Sequence, residues 1–193
     1  MKFNSKKIDI SKYIVYIIFV LCLIIFGIWL KGSFFSLSNL LNITRQAGAV
    51  SVMAIGMVFV IGLGHIDLSI GSVVAVSSLI TAYILRDTGN PVLAVIVAIG
   101  FGAIVGLFNG LCVTTIGMPA FLTTLGSQAI LTGIAMWISA TKAVPITHKG
   151  FLFWFGSGTI GQVPILLLWA VGATVIGYIV LNNTSYGRKI LAT

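Results

Sequence analysis

Acidic residues are what this sequence has least of. Asp and Glu together number three in 193 residues, against 11 Lys and Arg. Charged residues of either sign make up 7% of the chain, while hydrophobic ones make up 59%. A soluble domain of this length carries far more polar surface, so the mean hydropathy of +1.16 places the chain in a bilayer. Cysteine is scarce too. Cys22 and Cys112 both lie inside apolar runs and read as small buried hydrophobes rather than a disulfide or a metal pair. No His, Cys and Asp cluster has metal-ligand spacing, so the expectation is no metal and no cofactor. No G-x-x-x-x-G-K-[ST] occurs, which excludes a P-loop in this chain, and no nucleophile–base pair stands out, which argues against an enzyme.

The net charge of +8 raises the question of nucleic acid. Its distribution answers it. Lys2, Lys6, Lys7 and Lys12 crowd one end, and Arg188 and Lys189 sit at the other. These are membrane flanks, not a basic binding face.

In hydrocarbon every backbone polar group must be paired within the membrane, so a spanning chain is either helical or a closed barrel. Barrel strands alternate in polarity over about ten residues. The apolar runs here are continuous for about 17 residues or more, long enough for helices. The expected fold is therefore all-α, a polytopic transmembrane helix bundle of about six spans in one domain, 1–193. The spans are placed at 13–30, 47–63, 68–85, 92–113, 121–139 and 163–181. No A-x-A cleavage site follows the first run, which reads as an uncleaved span. Gly and Ala in the second run suggest a helix inside the bundle. Residues 88–141 hold no charge and must contain a hairpin, with Gly117 and Pro119 at its turn. An even number of spans and basic residues at both ends imply cytoplasmic termini, although Lys31, Arg86, Lys142 and Lys149 fall in the opposite loops.

Several residues carry the functional expectations. Asp67 is the one acid flanked by apolar runs on both sides. An ionisable group there needs water, a partner or a helix end. Gly62 and Gly64 break the preceding helix, and Asp67 then falls where an N-cap for the third span belongs, with Ser69 just behind it. It is read as a helix cap or as part of the translocation path. Gly102, Gly106 and Gly110 form a doubled G-x-x-x-G, expected to be a helix-packing seam. Asn109 lies beside it, as an interhelical hydrogen-bonding amide or a solute ligand. In the fifth span Thr124, Gln128 and Thr132 recur at helical spacing. They are either threonines bonded to their own helix with one satisfied glutamine, or the lining of a wet path. The 142–162 loop carries Phe151, Phe153, Trp154 and Phe155 and reads as an interfacial segment or a docking surface.

Three ordered blocks carry a resemblance. GHIDLSIGS at 64–72 looks like the G-x-I-D-L-S-x-G signature of sugar-type ABC-importer permeases, the ribose/xylose/galactose group. GLFNGLCVTTIGMPAFLTTLG at 106–126 is similar to the family's G-x-x-N-G-x-x-V-x-x-x-x-x-P-x-F-I-x-T-L-G, with Leu122 where Ile is common. TSYGRKILAT at 184–193 resembles T-x-x-G-R-x-x-x-A-x-G. Members of that family look longer, so the chain resembles their N-terminal portion and lacks their C-terminal portion. The resemblance implies a permease subunit of a binding-protein-dependent ABC importer that moves a monosaccharide, of the pentose or ribose/xylose-like kind, across the plasma (inner) membrane. It implies as partners a separate ABC ATPase subunit, an extracellular sugar-binding protein, a second permease subunit in a homodimer, and the lipid bilayer. The alternatives are an ion-coupled secondary transporter using His65 and Asp67, and a fragment that transports nothing.

Overall fold

The computed structural model describes residues 13–192. The lysine cluster at 2–12 and Thr193 lie outside the described residues. Among the described residues the regular structure is helical, apart from a two-stranded hairpin. Its contacts divide it into two units, Met1–Thr44 and Arg45–Thr193.

In the first unit, α1 (Ile14–Trp29) is an apolar helix of 16 residues, shorter than the expected 13–30 span. It ends where Lys31 and Gly32 adopt positive φ. Phe34 stacks on Phe26 and meets Phe35 edge-on. Cys22 is exposed on α1, contrary to its reading as a buried residue. In a chain whose outer surface faces lipid, an apolar run does not imply burial in protein.

α2 (Leu37–Gly62) crosses from the first unit into the second and begins ten residues before the expected 47. The reason is local. Ser36 Oγ accepts from the backbone N–H of Asn39, the way an N-cap serine does, so the polar stretch read as a link starts the helix instead. Four further helices are long and apolar enough to cross a membrane: α3 (Ile70–Thr88), α4 (Pro91–Thr114), α5 (Ala120–Ser139) and α7 (Ile165–Asn183). The chain is thus an all-α, multi-pass membrane protein, in line with about six spans.

The core of the second unit is α3 packed between α4 and α5. Val76, Val105 and Leu131, one from each helix, form its buried apolar cluster. The α3–α4 turn is encoded plainly. Gly89 takes φ +63° after the last turn of α3, and Asn90 caps α4 by accepting from Val92 N and Leu93 N, with Pro91 at the first helical position. At the α4–α5 turn Gly117 has φ +77° and Pro119 leads into α5, as expected from sequence. Tyr83 Oη donates to Ile138 O at 3.0 Å, tying the far ends of α3 and α5 together.

α2 is not a central helix. Gly48 is its one buried residue, and it meets the α7 backbone: a Cβ there would stand 2.8 Å from Leu166 O. Farther along, a Cβ on Gly177 of α7 would stand 2.7 Å from Ile55 Cγ2. Small residues do permit close approach here, but on one face of a peripheral helix. The 142–162 loop is partly structured. It holds α6 (Lys149–Phe155), capped by His148 Nδ1 accepting from Phe151 N, and a hairpin of β1 (Thr159–Ile160) with β2 (Val163–Pro164). The polar tail forms α8 (Ser185–Leu191), capped by Thr184 and folded back against α7.

Among the described residues the three glycines of the expected α4 seam make no close contact with another helix. Gly102 faces Val73 at ordinary distance, and Gly106 and Gly110 have no neighbour within 4 Å of a built Cβ. The buried face of α4 is instead the one carrying Ala94, Val105, Asn109 and Cys112.

Candidate functional site

The site forms around the break between α2 and α3. The last turn of α2 closes with Gly64 N donating to Ile61 O and His65 N donating to Val60 O. Gly64 takes φ +73°, a conformation that a Cβ would strain. Residues 65–69 then run without regular structure into α3.

Asp67 is not the N-cap of α3. That position belongs to Ser69, two residues later, and Ser69 makes no side-chain cap bond. Asp67 Oδ1 accepts from Ser69 N at 2.7 Å and from Ser69 Oγ at 2.6 Å. The cap reading missed this because an Asp–x–Ser triplet closes an Asx turn just as readily as it starts a helix. Ser69 is 1% exposed, and its carbonyl accepts from Val73 N and Ser72 Oγ.

Ser69 Oγ also accepts from Asn109 Nδ2 of α4 at 3.1 Å. Asn109 Oδ1 in turn accepts from Ser127 Oγ of α5 at 2.5 Å. The result is a one-way chain: Ser127 donates to Asn109, Asn109 to Ser69, Ser69 to the Asp67 carboxylate. Every donor points toward the anion, the arrangement in which successive hydrogen bonds strengthen one another. Asn109 and Ser127 are each 6% exposed. Asn109 is therefore the interhelical amide, one of its two expected roles. Thr124 joins from the side. Its hydroxyl lies 2.9 Å from Ala120 O of its own helix and 3.3 Å from Ile66 O of the break.

Gln128 is not in this chain. It lines a cavity of about 570 Å³ between α3 and α5, together with Ser72, Ser78, Thr132, Ser139 and Lys142. The expected Thr124–Gln128–Thr132 stripe thus divides, with Thr124 on the break and Gln128 and Thr132 on the cavity. His65 is exposed and takes no part in the Asp67 chain. Ser127 is the member that sequence reasoning did not single out. Its signal was present: Thr123, Ser127 and Leu131 recur at i, i+4, i+8 and form the buried face of α5.

A family model described as "Branched-chain amino acid transport system / permease component" matches residues 39–193. The chain belongs to that family. It is 35% identical over 166 residues to the ribose import permease protein RbsC of Bacillus subtilis (strain 168), covering 84% of this chain and 51% of that one. It is 34% identical over 169 residues to the ribose import permease protein RbsC of Escherichia coli (strain K12), covering 84% of this chain and 52% of that one. The fructose import permease protein FrcC of Rhizobium meliloti is 32% identical over 189 residues, 91% of this chain and 51% of that one. The chain spans about half the length of the curated relatives it matches. No solved structure matches it significantly. The resemblance drawn from the three sequence blocks is thus to the right group, and an ion-coupled transporter built on His65 and Asp67 is not favoured.

Proposed function

We propose that this chain forms the membrane path of an ABC importer for a monosaccharide, of the pentose or ribose/xylose-like kind, in the plasma membrane, with both termini cytoplasmic. Its identity to two ribose import permeases over 84% of its length carries this reading. The cavity between α3 and α5 supports it. Ser72, Ser78, Gln128, Thr132 and Ser139 place four hydroxyls and one amide along that cavity, among Ala75, Leu79, Ala135 and Met136 and with Lys142 also on the lining, a mixture of polar and apolar groups of the kind that a sugar's hydroxyls and C–H faces would meet. Asp67, Ser69, Asn109 and Thr124 hold the break between α2 and α3.

The chain has no P-loop, so a separate ATPase subunit would supply ATP hydrolysis, an external sugar-binding protein would deliver the solute, and a second permease subunit would complete the path. Transport would then be alternating access with no chemistry on the sugar. The test is uptake of radiolabelled ribose into vesicles carrying the chain with its partner subunits. Uptake that needs ATP and the binding protein supports the reading. Uptake driven by a proton gradient without them, or none at all beside a co-purifying ATPase, would reject it.

A further inference from the structure

We infer that Gln128 and Thr132 are the specificity-determining pair of the α3–α5 cavity, the groups that hydrogen-bond the vicinal hydroxyls of a free pentose. This rests on reading the cavity as part of a sugar importer's path. Most hydroxyls of the wall are already engaged. Ser72 Oγ donates to Ser69 O, and Ser78 Oγ to Val74 O. Ser139 Oγ reaches Met136 O at 3.5 Å. Such hydroxyls offer a solute only their lone pairs. Gln128 and Thr132 differ. Among the described residues their side chains have no hydrogen-bond partner, whereas Thr123 and Thr124 of the same helix donate to Pro119 O and Ala120 O one turn back. Both free groups line the cavity, one helical turn apart.

Depth makes the pair selective. Gln128 lies near the middle of α5 (Ala120–Ser139), roughly 16 Å from Ser139 along the helix and so about half a hydrocarbon core inside. A free amide at that depth is costly against lipid and needs water or a solute beside it. Lys142 lies on the same lining just past the end of α5, where a lysine keeps its ammonium in water or among headgroups. A solute that enters beside Lys142 passes Ser139 and Met136 before it meets Thr132, and Gln128 last. The carboxamide has two donors and an acceptor on one plane, so its oxygen can accept from one sugar hydroxyl while its nitrogen donates to the next. Thr132 adds one more donor and acceptor a turn away. A solute without adjacent hydroxyls forgoes these bonds and leaves the amide unpaired.

Ala75 supplies the reporter position: it is exposed, and it lines the cavity from α3. Ala75→Cys is made with Cys22→Ala and Cys112→Ala, and the chain is placed in vesicles with its partner subunits. A water-soluble methanethiosulfonate reagent is added with increasing D-ribose, and modification of this chain is followed by its mass. Ribose is expected to slow the reaction, and glycerol at equal hydroxyl concentration to slow it far less. Gln128→Ala and Thr132→Val, each added to that background, are expected to raise the half-protecting ribose concentration about two- to tenfold, the effect of one net hydrogen bond. The modification rate without sugar reports the fold of each variant. A thiol that the reagent never reaches would mean that lipid or protein fills the cavity, which overturns the inference. Equal protection by glycerol, or unchanged half-protecting concentrations in both variants, overturns it as well. ATP-dependent ribose uptake by the same vesicles is measured in parallel. Uptake without protection leaves the importer standing and rejects this pair; protection that both variants weaken, without uptake, keeps the pair and rejects the importer.

Discussion

Asp67 Oδ1 receives two hydrogen bonds from one residue, the backbone N–H and the hydroxyl of Ser69. A single oxygen thus fixes both the turn into α3 and the rotamer of the serine that receives the Asn109 amide. A neutral amide oxygen can accept the same pair. Asp67→Asn is therefore expected to keep the fold and most of the thermal stability of the purified protein. Asp67→Ala leaves two buried donors without their acceptor and is expected to cost about 1–3 kcal/mol. The measurement is thermal unfolding of both variants in detergent. Equal losses for Asn and Ala would show that the carboxylate's charge, not its acceptor geometry, holds the break.

The glycines make a second, sharper contrast. A Cβ at Gly48 would stand 2.8 Å from the carbonyl oxygen of Leu166, a backbone atom that cannot turn aside. Gly48→Ala is expected to destabilise by about 1–3 kcal/mol, as overpacking does. Gly106→Ala, with nothing within 4 Å, is expected to stay within about 0.5 kcal/mol of the parent or to gain from helix propensity. Chemical unfolding followed by tryptophan fluorescence ranks the two. An equal or larger loss at Gly106 would mean that the doubled G-x-x-x-G is a contact after all.

These two cases show what the sequence could convey. Hydropathy and turn chemistry placed α3, α4, α5 and α7 to within a few residues, because a membrane helix must satisfy its own backbone and Gly89–Asn90–Pro91 and Gly117–Pro119 have few other uses. Which face of a helix meets protein and which meets lipid was far less legible. Both surroundings are apolar, so the period of hydrophobicity that marks the buried face of a soluble helix is weak. The doubled G-x-x-x-G on α4 shows no close approach among the described residues, whereas Gly48 on α2 and Gly177 on α7, outside any such motif, do. Polar residues betrayed their positions better. Asp67, Ser69, Asn109 and Thr124 were all singled out, and three of them fall in one hydrogen-bonded chain. Ser127 escaped because the stripe of Thr124, Gln128 and Thr132 runs beside it on the same helix.

The aromatic segment after α5 gives a third prediction. Trp169 Nε1 donates to Trp154 O at 2.9 Å, and its ring stacks on Phe155 with centroids 5.6 Å apart. This pins α6 to the first turns of α7. Trp169→Phe keeps an aromatic ring but loses the donor, an expected cost of about 0.5–1.5 kcal/mol. Trp169→Ala loses both and is expected to free α6. Proteolysis of the 142–162 segment reads this out: cleavage should be slow in the parent, modestly faster in Trp169→Phe and fastest in Trp169→Ala. Indistinguishable rates in all three would mean that the hairpin β1–β2, not Trp169, holds the segment.

A fourth prediction concerns the contact between the end of α2 and α8. Ile190 of α8 is 1% exposed, and a Cβ on Gly62 would stand 2.6 Å from its Cγ2. Gly62 is the last residue of α2, directly before the break that leads to Asp67, so α8 is packed against the base of the candidate site. Phe59 and Tyr186 stack beside the contact, with centroids 6.4 Å apart. Gly62→Ala is expected to cost about 1–3 kcal/mol by overpacking, and Ile190→Ala about 2–5 kcal/mol by loss of a buried side chain. The double variant should cost less than the sum, because the alanine at 190 removes the methyl that the new Cβ strikes. The expected coupling is about 0.5–3 kcal/mol, measured as a double-mutant cycle of unfolding free energies. Additivity to within about 0.5 kcal/mol would mean that the two residues are not in contact and that α8 does not brace the break.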